Sequence, residues 1–176
     1  MSKHLVAAIS GVALALAMAP PSSAASNTAT TLTPIDEGSQ LETRALLDCH
    51  GATGSCDFTV GANLRTPEGA TGFPSGLWAR QSTEFRTMNR LVYLDVHADG
   101  QNERIQKQGG TDVMTDIYTG EGPPEKYQST GRIDATDWRT GQPKTDVNVI
   151  MCTHIQVVYS GVNLTSPSTC AQTGFS

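Results

Sequence analysis

Short runs of alternating apolar and polar residues recur along most of this chain, and they constrain its fold more than any other feature. The runs begin near residue 41 and continue to residue 159. Clusters of glycine, proline and asparagine separate them at intervals of roughly 10 to 20 residues. A period of two is typical of strands that bury one face, and no alternation of strands with helices is visible. The pattern predicts an all-β fold, a small antiparallel β-sandwich for which an Ig-like architecture is possible.

Seven runs carry the pattern: 41–49, 56–64, 76–86, 91–98, 112–119, 127–138 and 146–159. The run 127–138 is weak, with Ile133 and Trp138 as its expected anchors. The last run is the clearest, and its length suggests a bulge or a bend. A competing interpretation of the first run makes 39–42 a capping box that opens a short helix through Leu47. We favour the strand, because the alternation continues to residue 49.

Four cysteines add a covalent constraint: Cys49, Cys56, Cys152 and Cys170. Cys49 ends the first run and Cys56 begins the second, each on the apolar face of its run, with a glycine-containing loop between them. This arrangement predicts a hairpin closed by a Cys49–Cys56 disulfide, and leaves Cys152 to pair with Cys170. Such bonds form in oxidising compartments.

The N-terminal segment has the features of an export signal. Lys3 precedes an apolar stretch at 5–19, which is followed by two prolines and small residues up to Ala24. We therefore interpret 1–24 as a cleavable signal peptide. Residues 25–40 contain few apolar side chains and predict a flexible tail, so the domain is expected over 41–176. The mature product is expected to be secreted or extracytoplasmic, with no membrane insertion after the signal is cleaved.

Charge excludes one class of partner. The chain has 17 acidic and 12 basic residues among 176, a formal charge of −5. Nucleic-acid binding depends on clustered lysine and arginine, so nucleic acid is not expected as a partner.

The most suggestive group of polar residues lies on the run 91–98. Asp95, His97 and Asp99 fall on one face, where a carboxylate and an imidazole could act as an acid/base pair. His154, from the last run, could join them. The simpler interpretation is a solvent-facing strand surface, and no further ligand is fixed by spacing.

The sequence contains no established metal motif. Cys49, His50, Cys152 and His154 have the elements of a zinc site but not its spacing, and export favours disulfides. The acidic residues near glycine, Asp112, Asp116, Asp134 and Asp137, could bind calcium but do not match an EF loop. We therefore expect no cofactor and no metal.

Five large rings remain: Phe73, Trp78, Tyr118, Tyr127 and Trp138. Most should be buried in a sandwich, and one or two exposed rings could contact a partner. Residues 120–127 form a proline-rich segment, either a contact loop or a crossover between sheets. The leading hypothesis is a non-enzymatic binding or interaction module for an extracellular protein or glycan. The alternative is a small hydrolase or metal-dependent enzyme that uses His97 with Asp95 or Asp99, to which His154 could be added.

Overall fold

The structure is a computed structural model that describes residues 25–100 and 103–176. The export signal predicted over 1–24 lies outside these residues. The described chain forms two antiparallel sheets packed face to face, which confirms the predicted all-β sandwich. A single 3-10 turn at Pro124–Tyr127 is the one helical element within the described ranges. No helix in them is long and apolar enough to cross a membrane.

The strands are numbered in chain order. They are β1 (Ala25–Pro34), β2 (Gln40–His50), β3 (Ser55–Thr66), β4 (Gly69–Thr71), β5 (Trp78–Thr87), β6 (Tyr93–Ala98), β7 (Glu103–Lys107), β8 (Thr111–Thr119), β9 (Gln128–Thr136), β10 (Asn148–Tyr159), β11 (Val162–Thr165) and β12 (Thr169–Gly174).

Each sheet contains six strands. In sheet A the order is β1-β2-β3-β9-β6, and β4 also pairs with β3. In sheet B the order is β11-β10-β5-β8-β7, and β12 also pairs with β10. The chain changes sheet five times: between β4 and β5, β5 and β6, β6 and β7, β8 and β9, and β9 and β10. The passage from β8 to β9 runs through residues 120–127, so this segment is a crossover, and its Tyr127 is fully buried.

Both predicted disulfides are present. Cys49 pairs with Cys56 at the end of the β2–β3 hairpin, and Cys152 pairs with Cys170 between β10 and β12. Each bond joins neighbouring strands of one sheet, whereas the disulfide typical of antibody domains joins the two sheets. The first pair is buried in the core, but Cys170 is exposed on the outer face of sheet B.

The flexible tail predicted for 25–40 is wrong. Residues 25–34 form β1, which pairs with β2 from Ala25 opposite Cys49 to Pro34 opposite Gln40. The apolar content of this segment is low, but it is rich in threonine, whose branched side chain suits a strand. Backbone hydrogen bonds to β2 therefore order a segment that buries little apolar surface. The capping-box helix is also excluded, because β2 is extended throughout its length.

The length of β10 has a cause other than the predicted bulge. Its pairing with β5 is continuous from Val149 opposite Thr87 to Val158 opposite Trp78. On its other edge two short strands share it, with β12 beside the first half and β11 beside the second. The strand is long because it supports both of them.

The interior contains two apolar clusters. One includes Phe58, Phe85 and Ile133, and the other is built around Phe73 and Tyr127. Between them, buried polar residues on three adjacent strands of sheet B and on β2 of sheet A interrupt the apolar packing. We call this set the polar layer: Thr43 on β2, Gln81 and Thr83 on β5, Asp116 on β8 and Thr153 on β10.

Hydrogen bonds satisfy part of the polar layer. The hydroxyls of Thr83 and Thr153 lie 3.0 Å apart, and the Gln81 side-chain amide donates to the Asp116 carboxylate at 3.5 Å. Buried polar groups normally have such partners, because an unpaired one costs about 1–3 kcal/mol. The layer thus separates the two apolar clusters.

Candidate functional site

The predicted acid/base residues lie on the outer face of sheet A. His97 Nε2 is 3.2 Å from Asp95 Oδ2 on the same strand and 3.9 Å from Asp134 Oδ2 on β9. Asp99 instead accepts a hydrogen bond from Thr130 at 3.0 Å. The His97 side chain is 61% exposed, and neither it nor Asp95 lines the cavities described below. The His97–Asp95 pair therefore lies on an open sheet surface.

His154 is not close to this pair. It lies on β10 with its side chain on the outer face of sheet B, beside Arg80, Ser82 and Gln156. The two histidines are thus on opposite faces of the sandwich, with the buried core between them. The structure therefore brings His97 together with Asp95 but does not add His154 to them.

The zinc alternative fails for a chemical reason. Both of its cysteines are oxidised into disulfides, so they supply no thiolate ligands. In the described ranges, no three His, Cys, Asp or Glu residues come together as a group that could hold a metal ion. The four aspartates considered for calcium are also separated: Asp112 and Asp116 face the interior, Asp134 lies on the outer face of sheet A, and Asp137 is in a loop.

Asp95 has a structural role that the sequence did not indicate. Lys107 Nζ, at the end of β7, donates to Asp95 at 2.9 Å and to Asp112 at 3.0 Å. It also donates to the carbonyl oxygen of Leu94 at 3.2 Å. This hydrogen bonding with Lys107 holds the pKa of the Asp95 carboxyl below its usual range. The ammonium group therefore joins sheet A to sheet B at their β6 and β7 edges.

A groove with exposed apolar walls lies beside Lys107. It consists of two neighbouring cavities, of about 550 Å³ and about 380 Å³, which share Leu91, Val92 and Trp138. Trp138 is 74% exposed and Leu91 is 73% exposed, and Met88 and Tyr93 are also exposed. We call this feature the aromatic groove. Large apolar side chains gathered at one exposed place mark an interaction site more often than scattered ones do.

The Trp138 ring was expected to anchor the weak run 127–138 in the core, and that expectation is wrong. The strand ends at Thr136, and Trp138 belongs to the loop that follows. Asp137 shapes this loop by accepting hydrogen bonds from the backbone N–H groups of Arg139 and Thr140, at 2.9 Å and 3.2 Å. These bonds also lower the pKa of the Asp137 carboxyl. An ordered turn thus holds the indole at the surface, while Ile133 is buried as predicted.

The opposite wall of the groove is also shaped by side-chain hydrogen bonds. Asn89 accepts from the backbone N–H of Leu91 and from the Thr87 hydroxyl, both at 3.1 Å. Arg90 has φ of 57°, a left-handed conformation that disfavours residues other than glycine, asparagine and aspartate. Its guanidinium donates to Thr111 at 3.1 Å and to Glu84 at 3.3 Å. Backbone strain of this kind is frequent where a chain contacts a ligand.

The charges around the groove are mixed. Lys107 and Asp112 lie in the larger cavity, and Asp137, Arg139 and Lys144 line the smaller one. The Lys107 ammonium also lies 4.8 Å from the centre of the Tyr93 ring, a cation–π contact. The groove therefore combines an apolar centre with a polar rim.

Three of the five large rings are buried, as expected for most of them: Phe73, Tyr118 and Tyr127. Trp78 is 40% exposed on the outer face of sheet B, away from the groove. The sequence did not predict that Met88 and Leu91 are exposed. Met88 lies in a loop, where no periodicity indicates which side chains are covered, and Leu91, the first residue of the run 91–98, precedes the start of β6 at Tyr93.

Comparisons with known proteins add little to this geometry. No family model and no curated protein matches the sequence. A Fap1 fimbrial chain, studied for pH-induced modulation of Streptococcus parasanguinis adhesion, is 10% identical over 87% of this chain and 96% of its own, with a TM-score of 0.48. The GAE domain of GGA2p from Saccharomyces cerevisiae is 7% identical over 84% of this chain and 96% of its own, with a TM-score of 0.35. Both similarities are too weak to support an inference about function. The chain is a small disulfide-bonded β domain.

Proposed function

We propose that this chain is an exported, non-enzymatic binding domain that contacts an extracellular protein through the aromatic groove. The observation that carries the proposal is the exposure of Trp138 between two cavities, on a loop that its own hydrogen bonds keep ordered. An exposed indole costs solvation free energy in the isolated domain, and burial in a complex recovers it. Tryptophan, tyrosine and arginine dominate binding hot spots in protein interfaces.

The composition of the groove favours a protein over a glycan as the partner. Leu91 and Val92, which line both cavities, have apolar side chains that offer no hydrogen bonds to sugar hydroxyls. Methionine, arginine and aromatic residues are enriched in the cores of protein interfaces, and charged residues are concentrated at the rims. The groove has this arrangement, with Leu91, Val92 and Trp138 at the centre, where the two cavities meet, and Arg139 and Lys144 at one end.

Export is supported by two features. The segment 1–24 has the composition of a signal peptide. The two disulfides require an oxidising compartment, and all four cysteines are used in them. Both features support the proposal that the partner is extracellular.

The test is affinity capture from culture medium and from the cell envelope, with wild-type protein and two tryptophan variants as bait. Trp138→Ala removes the centre of the groove. Trp78→Ala is the matched control, because it removes another exposed tryptophan from the outer face of sheet B. We expect a partner that binds wild type and Trp78→Ala, and whose affinity for Trp138→Ala is about 30-fold lower, the effect of a hot spot worth ~2 kcal/mol.

Treatment of the captured material identifies its class. Protease should abolish binding if the partner is a protein, and glycosidase should leave binding intact. Binding that survives protease but not glycosidase would replace the proposed protein with a glycan. Equal capture by Trp138→Ala and wild type would reject the groove as the binding site.

A further inference from the structure

The polar layer ends in a cavity of about 220 Å³ at the β7 edge of sheet B. Two carboxylates line it, from Asp116 on β8 and Glu103 on β7. These residues are directly opposite each other in the antiparallel pairing, so their side chains leave the same face of the sheet. Like charges in this arrangement destabilise a sheet unless something compensates for them.

The carboxylates and the adjacent amide have oxygen atoms without hydrogen-bond donors. Asp116 Oδ1, Glu103 Oε2 and Gln81 Oε1 are all buried, and none has a hydrogen-bond partner in residues 25–100 and 103–176. Asp116 as a whole is 1% exposed, and Gln81 is fully buried. Each of these buried oxygens destabilises the folded state, because it has lost its hydrogen bonds to water and none of the described residues replaces them. The missing component is therefore a donor or a cation.

The charges in the cavity favour a cation. Asp116 and Glu103 bring two carboxylates to it, and the Tyr118 side chain lines the same cavity. Lys126 is another lining residue, but its ammonium donates to the carbonyl oxygens of Thr119 and Glu121, at 2.8 Å and 2.6 Å. Its charge is thus directed towards the backbone at the cavity mouth.

We propose that Asp116 and Glu103 hold a calcium ion in this cavity. Calcium takes six to eight oxygen ligands in flexible geometry, whereas magnesium demands a near-regular octahedron and gives up water reluctantly. A cavity of this volume has room for several water molecules, each occupying roughly 30 Å³, to complete the shell. Two carboxylates give a weak site, in the range of 10⁻⁴–10⁻³ M that is typical of extracellular modules.

The experiment measures the thermal midpoint of the purified protein in chelator and with added calcium. At a calcium concentration ten times the dissociation constant, we expect the midpoint of wild type to rise by about 3–5 °C. Asp116→Asn and Glu103→Gln should lose this response. In chelator both variants should be at least as stable as wild type, because one of the two opposed carboxylates is gone. A failure to fold is therefore not expected to hide the result.

Asp134→Asn is the matched control, since it removes an aspartate from the outer face of sheet A. It should keep the full calcium response, as should Trp138→Ala, so this proposal can fail independently of the proposed function. Terbium alone provides a second readout, because Tyr118 is close enough to sensitise its luminescence in wild type but not in Asp116→Asn. Equal midpoints of wild type in chelator and in calcium would overturn the site. A calcium response that survives in Asp116→Asn would do the same.

Discussion

Replacement of Lys107 by methionine should weaken the connection between the two sheets. Lys107 Nζ contacts Asp95 on sheet A and Asp112 on sheet B, at 2.9 Å and 3.0 Å. The Asp112 side chain is 7% exposed, so the substitution leaves a buried carboxylate without its cation. Methionine retains most of the apolar stem of lysine, so the change isolates the charge.

The loss of stability expected for Lys107→Met lies between two limits. Removing one partner of a fully buried ion pair costs about 3–5 kcal/mol, whereas an exposed pair contributes about 0.2–1 kcal/mol. Lys107 is 44% exposed, so water partly replaces the lost ammonium. We therefore expect the free energy of unfolding to fall by about 2 kcal/mol, equivalent to a decrease in the thermal midpoint of about 4–8 °C.

The assay is urea denaturation followed by intrinsic fluorescence, with two companion variants. Lys144→Met is the control, because Lys144 pairs with Asp146, whose side chain is 72% exposed. It should change the unfolding free energy by less than about 0.5 kcal/mol. The double variant Lys107→Met/Asp112→Asn should recover part of the loss, since it removes the stranded carboxylate.

The pH dependence gives an independent check. Lys107 lowers the pKa of Asp95 in the folded state, so this pair stabilises the protein above the ordinary carboxyl pKa of about 4 and ceases to do so as the pH falls through the lowered value. Lys107→Met should therefore lose less stability than wild type on acidification. If it matches wild type within 0.5 kcal/mol at neutral pH, or if the double variant is no better than the single one, the proposed link between the sheets is refuted.

Two further predictions concern stability. Replacing Cys49 and Cys56 with alanine should lower the free energy of unfolding more than replacing Cys152 and Cys170 with serine. This is expected although the Cys49–Cys56 bond closes the shorter loop. Chain entropy alone gives about 2.5 kcal/mol and about 3 kcal/mol respectively, but the first pair also leaves a cavity in the core; chemical denaturation that ranks the two in the opposite order would contradict this. Gly131→Ala should lower the unfolding free energy by about 1–3 kcal/mol, because a Cβ there would lie 2.1 Å from the His97 carbonyl oxygen. Gly38→Ala, whose Cβ meets nothing closer than 3.8 Å, should be nearly neutral in the same assay.

The strand pattern was predictable because it is a local property. Alternation in 41–49 and 56–64 places Cys49 and Cys56 on the same face, and two strands joined by a short loop have few ways to pair. The structure has this register, with Cys49 opposite Cys56 and Leu47 opposite Phe58. The side-chain period and the loop length were sufficient to predict the pairing of these two strands, without information from distant parts of the chain.

Strand β1 was not predicted because its order comes from a neighbour. The Thr-rich segment before residue 34 buries little apolar surface, and hydropathy alone suggests a flexible tail. Its strand depends on the unpaired edge that β2 offers to it. Hydrogen bonding to that edge does not require an apolar face, so hydropathy could not report it.

The candidate sites were even less accessible to sequence reasoning. From the sequence alone, His97, Asp95 and His154 could all belong to one site. In the structure, the packing of the two sheets places His154 on the face of the sandwich opposite the other two residues. The sequence made Trp138 resemble a core residue, and only the end of β9 two residues earlier showed otherwise. Sites are formed by residues distant in the chain, whose proximity depends on strand order.

By itself, the sequence determined that the chain forms antiparallel strands, which side chains share a face of a strand, and which cysteines pair, because these follow from local geometry. Tertiary structure decided which strands are adjacent and, in strands such as β8 that carry polar residues on both faces, which face is buried. It thus decided that Asp116 and Gln81 lie inside the sandwich, and that Leu91 and Trp138 line one groove on its surface. The physical reason is that burial depends on what the second sheet covers, and a weak or mixed period within one strand does not contain that information.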